Sequence, residues 1–347
     1  METPIYILGL GNLGKYVAHA LKKQSSRTHV TLLLHRESLL EEWQRCGQTI
    51  DCVRDGASDK LSGYSTDLLS GSSPINNLIV TTKTYKTVQA LAPIRHRLGP
   101  ESSILFLQNG MGAIEEVSTS LFKDAKLRPN YWAGIASVGI YKHGPFSIVH
   151  AGKGSLILGK VEGRTDASSP ADARRGNFMV QRLLESDGLA ANLVEPELLR
   201  ISQLQKLAAN AIINPLTALL GCVNGEVFGS SSRKNVIQQL IAETGAVIRA
   251  LLPSKAGEEI REQFSDQSLS QYITEVATKT AQNSSSMLQD FRAGRETEIG
   301  YINGYIVEQA KRLGLPHARN SALVNMIKQR KALSEDDEVI PKLSGPP

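Results

Sequence analysis

The sequence of 347 residues predicts an α/β domain built on a parallel sheet, followed by an all-helical domain. A glycine-rich turn joins an apolar run to a helical pattern within residues 5–21. After residue 197 the apolar spacing becomes helical and strand patterns end, and one α/β domain of common size leaves nearly half of the chain unaccounted for. We predict an α/β domain over residues 1–197, a helical domain over 198–333 and a disordered tail over 334–347.

The glycine-rich turn predicts a Rossmann-type dinucleotide site, because an apolar strand precedes it and an amphipathic helix follows it. In the pattern Gly9-x-Gly11-x-x-Gly14, Gly9 permits the tight turn and Gly11 lets the backbone approach a pyrophosphate. Gly14 allows the helix to pack closely on the strand, and the helix N-terminus faces the phosphate charge. The predicted cofactor contacts in this turn are Gly9, Leu10, Gly11, Asn12, Leu13 and Gly14.

The end of the second predicted strand, residues 30–34, indicates which dinucleotide binds. An NAD enzyme usually has an Asp or Glu there for the ribose hydroxyls, whereas this chain has His35 and Arg36. The planar, permanently charged guanidinium of Arg36 suits a 2′-phosphate, which a carboxylate would repel. NADPH is therefore favoured over NADH. The alternative is that Arg36 is an ordinary solvated arginine after a strand.

Two further strand ends carry polar side chains. Residues 77–80 run into Lys83, and residues 104–107 run into Asn109. Because the carboxyl ends of parallel strands line the ligand crevice, Lys83 and Asn109 are candidate cofactor contacts. The other patterns of this domain predict short strands and turns at a sheet edge over 43–69, a hairpin-like extension over 132–160, an exposed loop over 162–177, a helix over 178–186 and a short strand at 193–194.

Composition predicts a globular cytoplasmic enzyme with a small anionic ligand. The net charge of +5 is modest and is spread along the chain, unlike the basic stripe of a nucleic-acid-binding protein. No apolar run reaches the ~18 residues of a membrane span, and the first strand begins too early for a leader peptide. Cys46, Cys52 and Cys222 are too scattered for a disulfide framework or a zinc site, so no metal is expected. The oligomeric state stays open, with a homodimer as one alternative.

A predicted helix over residues 198–220 carries Lys206, Asn210 and Asn214 at spacings of four, which places them on one face. Their neighbours are apolar, so burying an ammonium and two amides there is costly unless they bind something. The alternative is a polar stripe that faces solvent. Pro215 removes a helical hydrogen bond and predicts a kink that aims Asn214 inward.

Residues 284–290 and 297–304 form a second polar region. Serines that precede a helix are typical caps, and Glu298 suits the first turn of a helix because of the helix dipole. Capping is therefore the alternative to ligand binding for this region.

Four motifs of the second half can be combined with Gly9 to Gly14, Lys83 and Asn109-Gly-Met-Gly112 of the first. They are Lys206-Leu-Ala-Ala-Asn210-Ala-Ile-Ile-Asn214-Pro, Asn224-Gly-Glu, Asn283-Ser-Ser-Ser286-Met-Leu-Gln-Asp290 and Thr297-Glu298-Ile-Gly-Tyr-Ile-Asn-Gly304. In this order they resemble the ketopantoate reductase (2-dehydropantoate 2-reductase) family over nearly the whole chain. The resemblance implies a Rossmann domain, a helical domain, and reduction of ketopantoate by NADPH to (R)-pantoate on the route to pantothenate and coenzyme A.

The resemblance also implies roles for individual residues. Lys206 corresponds to the general acid, which also contacts the substrate, and Glu298 to the second active-site carboxylate. The implied substrate contacts are Asn210, Asn214, Asn224 and Ser286, and the implied cofactor contacts are Arg36, Lys83 and Asn109.

Two other functions remain as alternatives. A paralogue that reduces another 2-oxo acid would keep Lys206 and differ in the shape of the pocket. A catalytically idle NADPH-sensing protein would bind the cofactor without turnover, and the presence of Lys206 and Glu298 argues against it. Lys206 as a Schiff-base lysine has no support in the sequence, since a nicotinamide already explains the site.

Overall fold

A computed structural model describes residues 3–25, 28–161 and 176–330. The described residues form two compact units: those within Met1–Gln108 and Ala113–Leu199 form unit 1, and those within Asn109–Gly112 and Arg200–Pro347 form unit 2. Unit 1 is the α/β part and unit 2 the helical part, so the predicted fold class is confirmed.

Within the described residues, ten strands form the mixed sheet of unit 1: β1 Ile5–Leu8, β2 Val30–Leu34, β3 Ile50–Arg54, β4 Ala57–Leu61, β5 Ser65–Leu68, β6 Asn77–Val80, β7 Ser103–Phe106, β8 Asn130–Gly144, β9 Ser147–Lys160 and β10 Ala191–Leu193. Their order in the sheet is β4-β3-β9-β8-β7-β6-β1-β2-β5, with β10 beside β9. Strands β1, β2, β5, β6 and β7 run parallel to their neighbours, whereas β8 is parallel to β7 and forms a long antiparallel hairpin with β9.

The central strands are continuous apolar runs because both faces of the sheet are covered. Alternate residues of β1 show this: Ile5 and Ile7 belong to one apolar cluster, and Tyr6 and Leu8 belong to another. The helices of unit 1 are α1 Asn12–Gln24, α2 Glu37–Arg45, α3 Thr87–Leu91, α4 Ala113–Ser120 and α5 Phe178–Leu184.

Unit 2 is built around α6 (Pro196–Leu220), whose residues from Arg200 onward belong to it. Its apolar core contains Leu204, Ala208, Ala211 and Ile212 from α6, packed with residues of the later helices. Those helices are α7 Ser231–Ala250, α8 Glu258–Glu262, α9 Asp266–Lys279, α10 Ser286–Arg292, α11 Asn303–Leu313 and α12 Ala318–Lys328. Short 3₁₀ turns cover Asn224–Glu226 and Glu298–Tyr301.

Several local predictions can be compared with these elements. The hairpin over 132–160 is confirmed, and the helix predicted over 178–186 is α5. The stretch 43–69 does contain three short strands, but Trp43 belongs to α2, where it lies on the buried stripe of a two-turn helix. The last strand ends at residue 193, although the N–H of Val194 still bonds the carbonyl of Leu158.

Two predictions concern parts of the chain that the structure does not fully describe. Residues 162–175 of the predicted loop over 162–177 lie outside the described residues. The predicted tail over 334–347 also lies outside them. Within the described ranges, no helix is both long and apolar enough to cross a bilayer. The same ranges hold no group of three or more His, Cys, Asp or Glu side chains arranged to bind a metal ion.

Candidate active site

The glycine-rich turn packs closely against the residues that follow β6. Gly9 has φ +104°, and a Cβ on it would lie 2.6 Å from the backbone nitrogen of Thr82. A Cβ on Gly14 would overlap the carbonyl of Gly9 and lie 2.6 Å from Oγ1 of Thr81. These two positions therefore require glycine for packing, independently of any ligand.

Gly11 differs from its two partners. A Cβ on Gly11 would meet nothing within 4 Å, so open space lies in front of it. Gly11 is also the N-cap of α1, which has no side-chain cap and no acidic residue in its first turn. The first N–H groups of α1 are thus available for an anion, which fits the predicted pyrophosphate site.

Basic side chains follow the ends of β2 and β6. Arg36 is exposed in an extended conformation at the N-cap of α2, and no carboxylate takes the ribose-binding position before it. The desolvation of the His35 ring and the positive charges of Arg36 and Lys86 lower the pKa of His35. Lys86 ends the 3₁₀ turn that Lys83 begins, and its N–H bonds the carbonyl of Lys83. Sequence reasoning missed Lys86, although it follows the same strand as Lys83.

In unit 2, α6 carries Lys206, Asn210 and Asn214 on one face, as the spacing predicts. Lys206 and Asn210 are partly buried, and Asn214 is only 7% exposed. The helix continues through Pro215, so Asn214 is buried without a break in the helix. Burial lowers the pKa of Lys206 to about 8, and the negative charge of Glu298 opposes that shift. Lys206 therefore releases its proton near pH 8, below the ordinary lysine value of 10.5.

Glu298 is 5% exposed and begins the 3₁₀ turn Glu298–Tyr301. The side-chain amide of Asn109 donates to Oε2 of Glu298 over 3.2 Å. The segment Asn109–Gly112 is held in unit 2 because the N–H of Met111 donates to the carbonyl of Tyr301 over 2.8 Å. The structure thus brings together Lys206, Glu298 and Asn109.

Two adjacent serines at the start of α10 have different positions. Ser285 is the N-cap: its Oγ accepts from the N–H of Leu288 over 3.0 Å and pairs with Oγ1 of Thr217 over 2.7 Å. The capping alternative therefore applies to Ser285, while Ser286 is the partly buried first residue of α10. Thr217 also donates to the carbonyl of Asn214, which connects Ser285 to the polar face of α6.

Asn224 is 9% exposed, and its amide nitrogen donates to Oγ1 of Thr280 over 2.9 Å. Within the described residues, Oδ1 of Asn224 is buried without a hydrogen-bond partner. A buried amide oxygen in this state is costly and is suited to a ligand that brings a donor. The hydrogen-bond partners of Asn224, Thr280 and the carbonyl of Asn283, lie in the segment that follows α9.

Comparison with known proteins connects this geometry to a family. Residues 5–163 match the family described as "Ketopantoate reductase PanE/ApbA", and residues 199–331 match "Ketopantoate reductase PanE/ApbA C terminal". The chain is 34% identical over 346 residues to the "Probable 2-dehydropantoate 2-reductase" of Schizosaccharomyces pombe, covering 96% of this chain and 98% of that protein.

Another relative has a different name. The chain is 28% identical to the "Ketoisovalerate reductase BEA2" of Gibberella fujikuroi, covering 94% of this chain and 83% of that protein. Among solved structures, the "Probable 2-dehydropantoate 2-reductase panE" of Bacillus subtilis superposes with a TM-score of 0.73 at 25% identity, covering 94% of this chain and 99% of that one. The chain belongs to the ketopantoate reductase family.

Proposed function

We propose that this protein reduces 2-dehydropantoate (ketopantoate) to (R)-pantoate with NADPH, and that Lys206 is the proton donor. The observation that carries the proposal is the partly buried Lys206, whose pKa is about 8, in a group with Glu298 and Asn109. Membership in the ketopantoate reductase family supports the reaction class. A relative named for the same reaction, 34% identical, supports the substrate.

The cofactor part of the proposal concerns residues of unit 1 together with Asn109 of unit 2. The turn from Gly9 to Gly14 fits a pyrophosphate, because Gly11 leaves open space before the uncapped N-terminus of α1. Arg36 would bind the 2′-phosphate, and Lys83 and Asn109 remain proposed cofactor contacts. Nearby Lys86 adds positive charge and supports NADPH over NADH.

Reduction of the ketone requires a hydride at the carbonyl carbon and a proton at the carbonyl oxygen. NADPH, when bound, would supply the hydride for the carbonyl carbon, with NADP⁺ as the oxidised product. The carbonyl oxygen takes up negative charge, and Lys206 stabilises that charge and transfers a proton from Nζ to the oxygen, leaving a 2-hydroxy acid and a neutral amine. Water returns the proton to Lys206 afterwards.

Glu298 and the amides would orient the substrate. The carboxylate of Glu298 accepts a hydrogen bond from a substrate hydroxyl, and Asn109 holds that carboxylate in place. Asn210, Asn214, Asn224 and Ser286 would bind the carboxylate and carbonyl of the substrate through neutral donors, which fixes the face that receives the hydride.

Reduction of ketoisovalerate is the second candidate, because a relative 28% identical to this chain is named for it. Ketopantoate differs from ketoisovalerate by one added hydroxymethyl group. A buried carboxylate such as Glu298 discriminates in favour of the hydroxylated substrate, since it loses a hydrogen-bond donor when the hydroxyl is missing.

The test is oxidation of NADPH, followed at 340 nm, with a panel of 2-oxo acids. We expect kcat/KM for ketopantoate to exceed that for ketoisovalerate by at least about tenfold, the lower end expected for one discriminating hydrogen bond. The reverse ratio would assign the protein to ketoisovalerate. Binding of NADPH without turnover of any 2-oxo acid in the panel would support the alternative of an NADPH-sensing protein. Rescue of a pantoate-requiring strain that lacks its own ketopantoate reductase tests the pathway.

A further inference from the structure

A proline inside α6 leaves one backbone carbonyl without its helical partner. In an α-helix the N–H of residue 215 would donate to the carbonyl of residue 211, but Pro215 has no N–H. Ala211 is fully buried, with 0% exposure, so water does not replace that donor. A buried carbonyl without a donor is destabilising, and a donor from elsewhere in the fold is required.

Asn303 supplies the donor. Its amide nitrogen lies 2.9 Å from the carbonyl oxygen of Ala211, and the two residues are 92 positions apart in the sequence. Asn303 is 0% exposed and is the first residue of α11, directly after the segment that begins with Glu298. The hydrogen bond therefore joins the helix of Lys206 to the segment of Glu298.

The side chain of Asn303 is itself held by buried polar groups. Its amide nitrogen also donates to Oδ1 of Asn320 over 2.9 Å. The amide nitrogen of Asn320 in turn donates to Oε1 of Glu243 over 2.8 Å. Glu243 is 6% exposed and accepts from the backbone N–H groups of Arg319 and Asn320 at the start of α12. Each donor faces an acceptor, which fixes the orientation of the Asn303 amide.

We propose that Asn303 is a positioning residue for the reaction: through the carbonyl that Pro215 frees, it fixes the helix of Lys206, Asn210 and Asn214 in register with Glu298. The inference rests on the proposed role of Lys206 as proton donor. A small shift of α6 along the Glu298 segment would move the ammonium away from the carbonyl that it protonates. Such displacements lower kcat more than they weaken cofactor binding.

A double-mutant cycle between Asn303 and Pro215 tests this link in the full-length protein. Pro215→Ala restores the N–H at residue 215, so the carbonyl of Ala211 regains a helical donor and depends less on Asn303. We expect Asn303→Ala to lower kcat at least tenfold, with the Kd for NADPH changed less than twofold. In the Pro215→Ala background, the factor by which Asn303→Ala lowers kcat should be at least three times smaller than in the wild-type background.

Leu323→Ala is the matched control. Leu323 is a fully buried core residue of α12, so its truncation destabilises unit 2 without touching the Asn303 to Ala211 link. Its kcat should stay within twofold of the wild type at a temperature where the variant is folded. An equal loss of kcat in Leu323→Ala, or an equal effect of Asn303→Ala with and without Pro215, would overturn the proposal.

The midpoint of thermal unfolding, followed by circular dichroism, gives a second cycle that does not depend on activity. Asn303→Ala should lower the midpoint by about 4 °C or more, and by less in the Pro215→Ala background. If Asn303→Ala does not fold, the proposal requires the double variant to fold, and failure of both contradicts it. If the wild type reduces no 2-oxo acid, the proposed function fails, whereas this unfolding cycle still decides whether Asn303 and Pro215 are coupled.

Discussion

Lys15 in unit 1 and Lys206 in unit 2 share a pKa lowered to about 8 by burial, but their surroundings differ. Lys15 is 3% exposed and donates to the carbonyl of Pro145 over 3.1 Å, and the positive charge of Lys142 lowers its pKa further, whereas the smaller effect of Glu42 raises it. Lys206 stands on a face with two amides and near the negative charge of Glu298. A lowered pKa therefore indicates that a lysine is buried, and the groups around the lysine indicate whether it takes part in the reaction.

The largest expected effect separates the two lysines by activity. Lys206→Ala should lower kcat at least ~10²-fold, because it removes both the proton and the positive charge at the developing oxyanion, while the Kd for NADPH changes little. Lys15→Met should leave kcat within a factor of two. Steady-state kinetics with ketopantoate measure both variants. Near-normal turnover by Lys206→Ala would remove this lysine from the mechanism.

The second expected effect concerns cofactor choice and unit 1 alone. Arg36→Asp should remove most of the preference for NADPH over NADH, a change of about 1.5 to 3 kcal/mol, because the carboxylate repels the 2′-phosphate and accepts from the ribose hydroxyls. The ratio of kcat/KM for the two cofactors measures it, and the wild-type preference should shrink as salt rises. Lys86→Ala is a milder comparison that keeps Arg36. If Arg36→Asp favours NADPH as strongly as the wild type, the phosphate is bound elsewhere.

The third expected effect concerns stability and pH. Since the folded protein holds Lys15 at a pKa of about 8, below the ordinary value of 10.5, the protonated lysine is disfavoured in the folded state. Below about pH 8 this cost is complete, and between about pH 8 and 10.5 the free energy of unfolding rises as the folded protein releases the proton first. Lys15→Met should stabilise the protein at pH 7 by about 1 to 3 kcal/mol.

Lys15→Met should also reduce the rise in the free energy of unfolding above pH 8 without abolishing it. Lys206 has a pKa lowered to the same value and contributes a rise of the same sign in the same window. Urea unfolding at several pH values measures the slope. An unchanged slope in Lys15→Met would show that Lys15 is not the buried cation that the geometry indicates.

The smallest expected effect compares two adjacent serines. Ser286→Ala should raise KM for the 2-oxo acid about five- to tenfold, the loss of one ordinary hydrogen bond, with no change in the unfolding midpoint. Ser285→Ala should instead lower the free energy of unfolding by about 1 kcal/mol, because Ser285 caps α10. Equal effects of the two substitutions on KM and on stability would contradict this division.

Local patterns predicted most of the fold and much of the candidate site. The central strands of unit 1 are largely apolar runs buried on both faces, and the spacing of four in α6 places Lys206, Asn210 and Asn214 together whatever surrounds the helix. The helical state of Trp43 was harder to predict, since a two-turn helix has too few apolar positions to show a period.

Features that depend on distant residues could not be predicted in this way. The hydrogen bond from Asn303 to Ala211 joins residues 92 positions apart, so the consequence of Pro215 is visible only once α6 and α11 pack together. Lys86 has no sequence pattern of its own, and its effect on His35 depends on the order of the strands. Ser285 and Ser286 are chemically equal in the sequence and differ only through the start of α10.

The pH dependence of kcat/KM for the 2-oxo acid tests the central claim most directly, because it reports the protonation state of the proton donor in the free enzyme. With Lys206 at a pKa of about 8, kcat/KM should be constant below about pH 8 and fall about tenfold per pH unit above it. Lys15→Met should show the same break, although Lys15 has the same pKa. A wild-type profile that stays flat or rises between about pH 8 and 10 would contradict Lys206 as the proton donor.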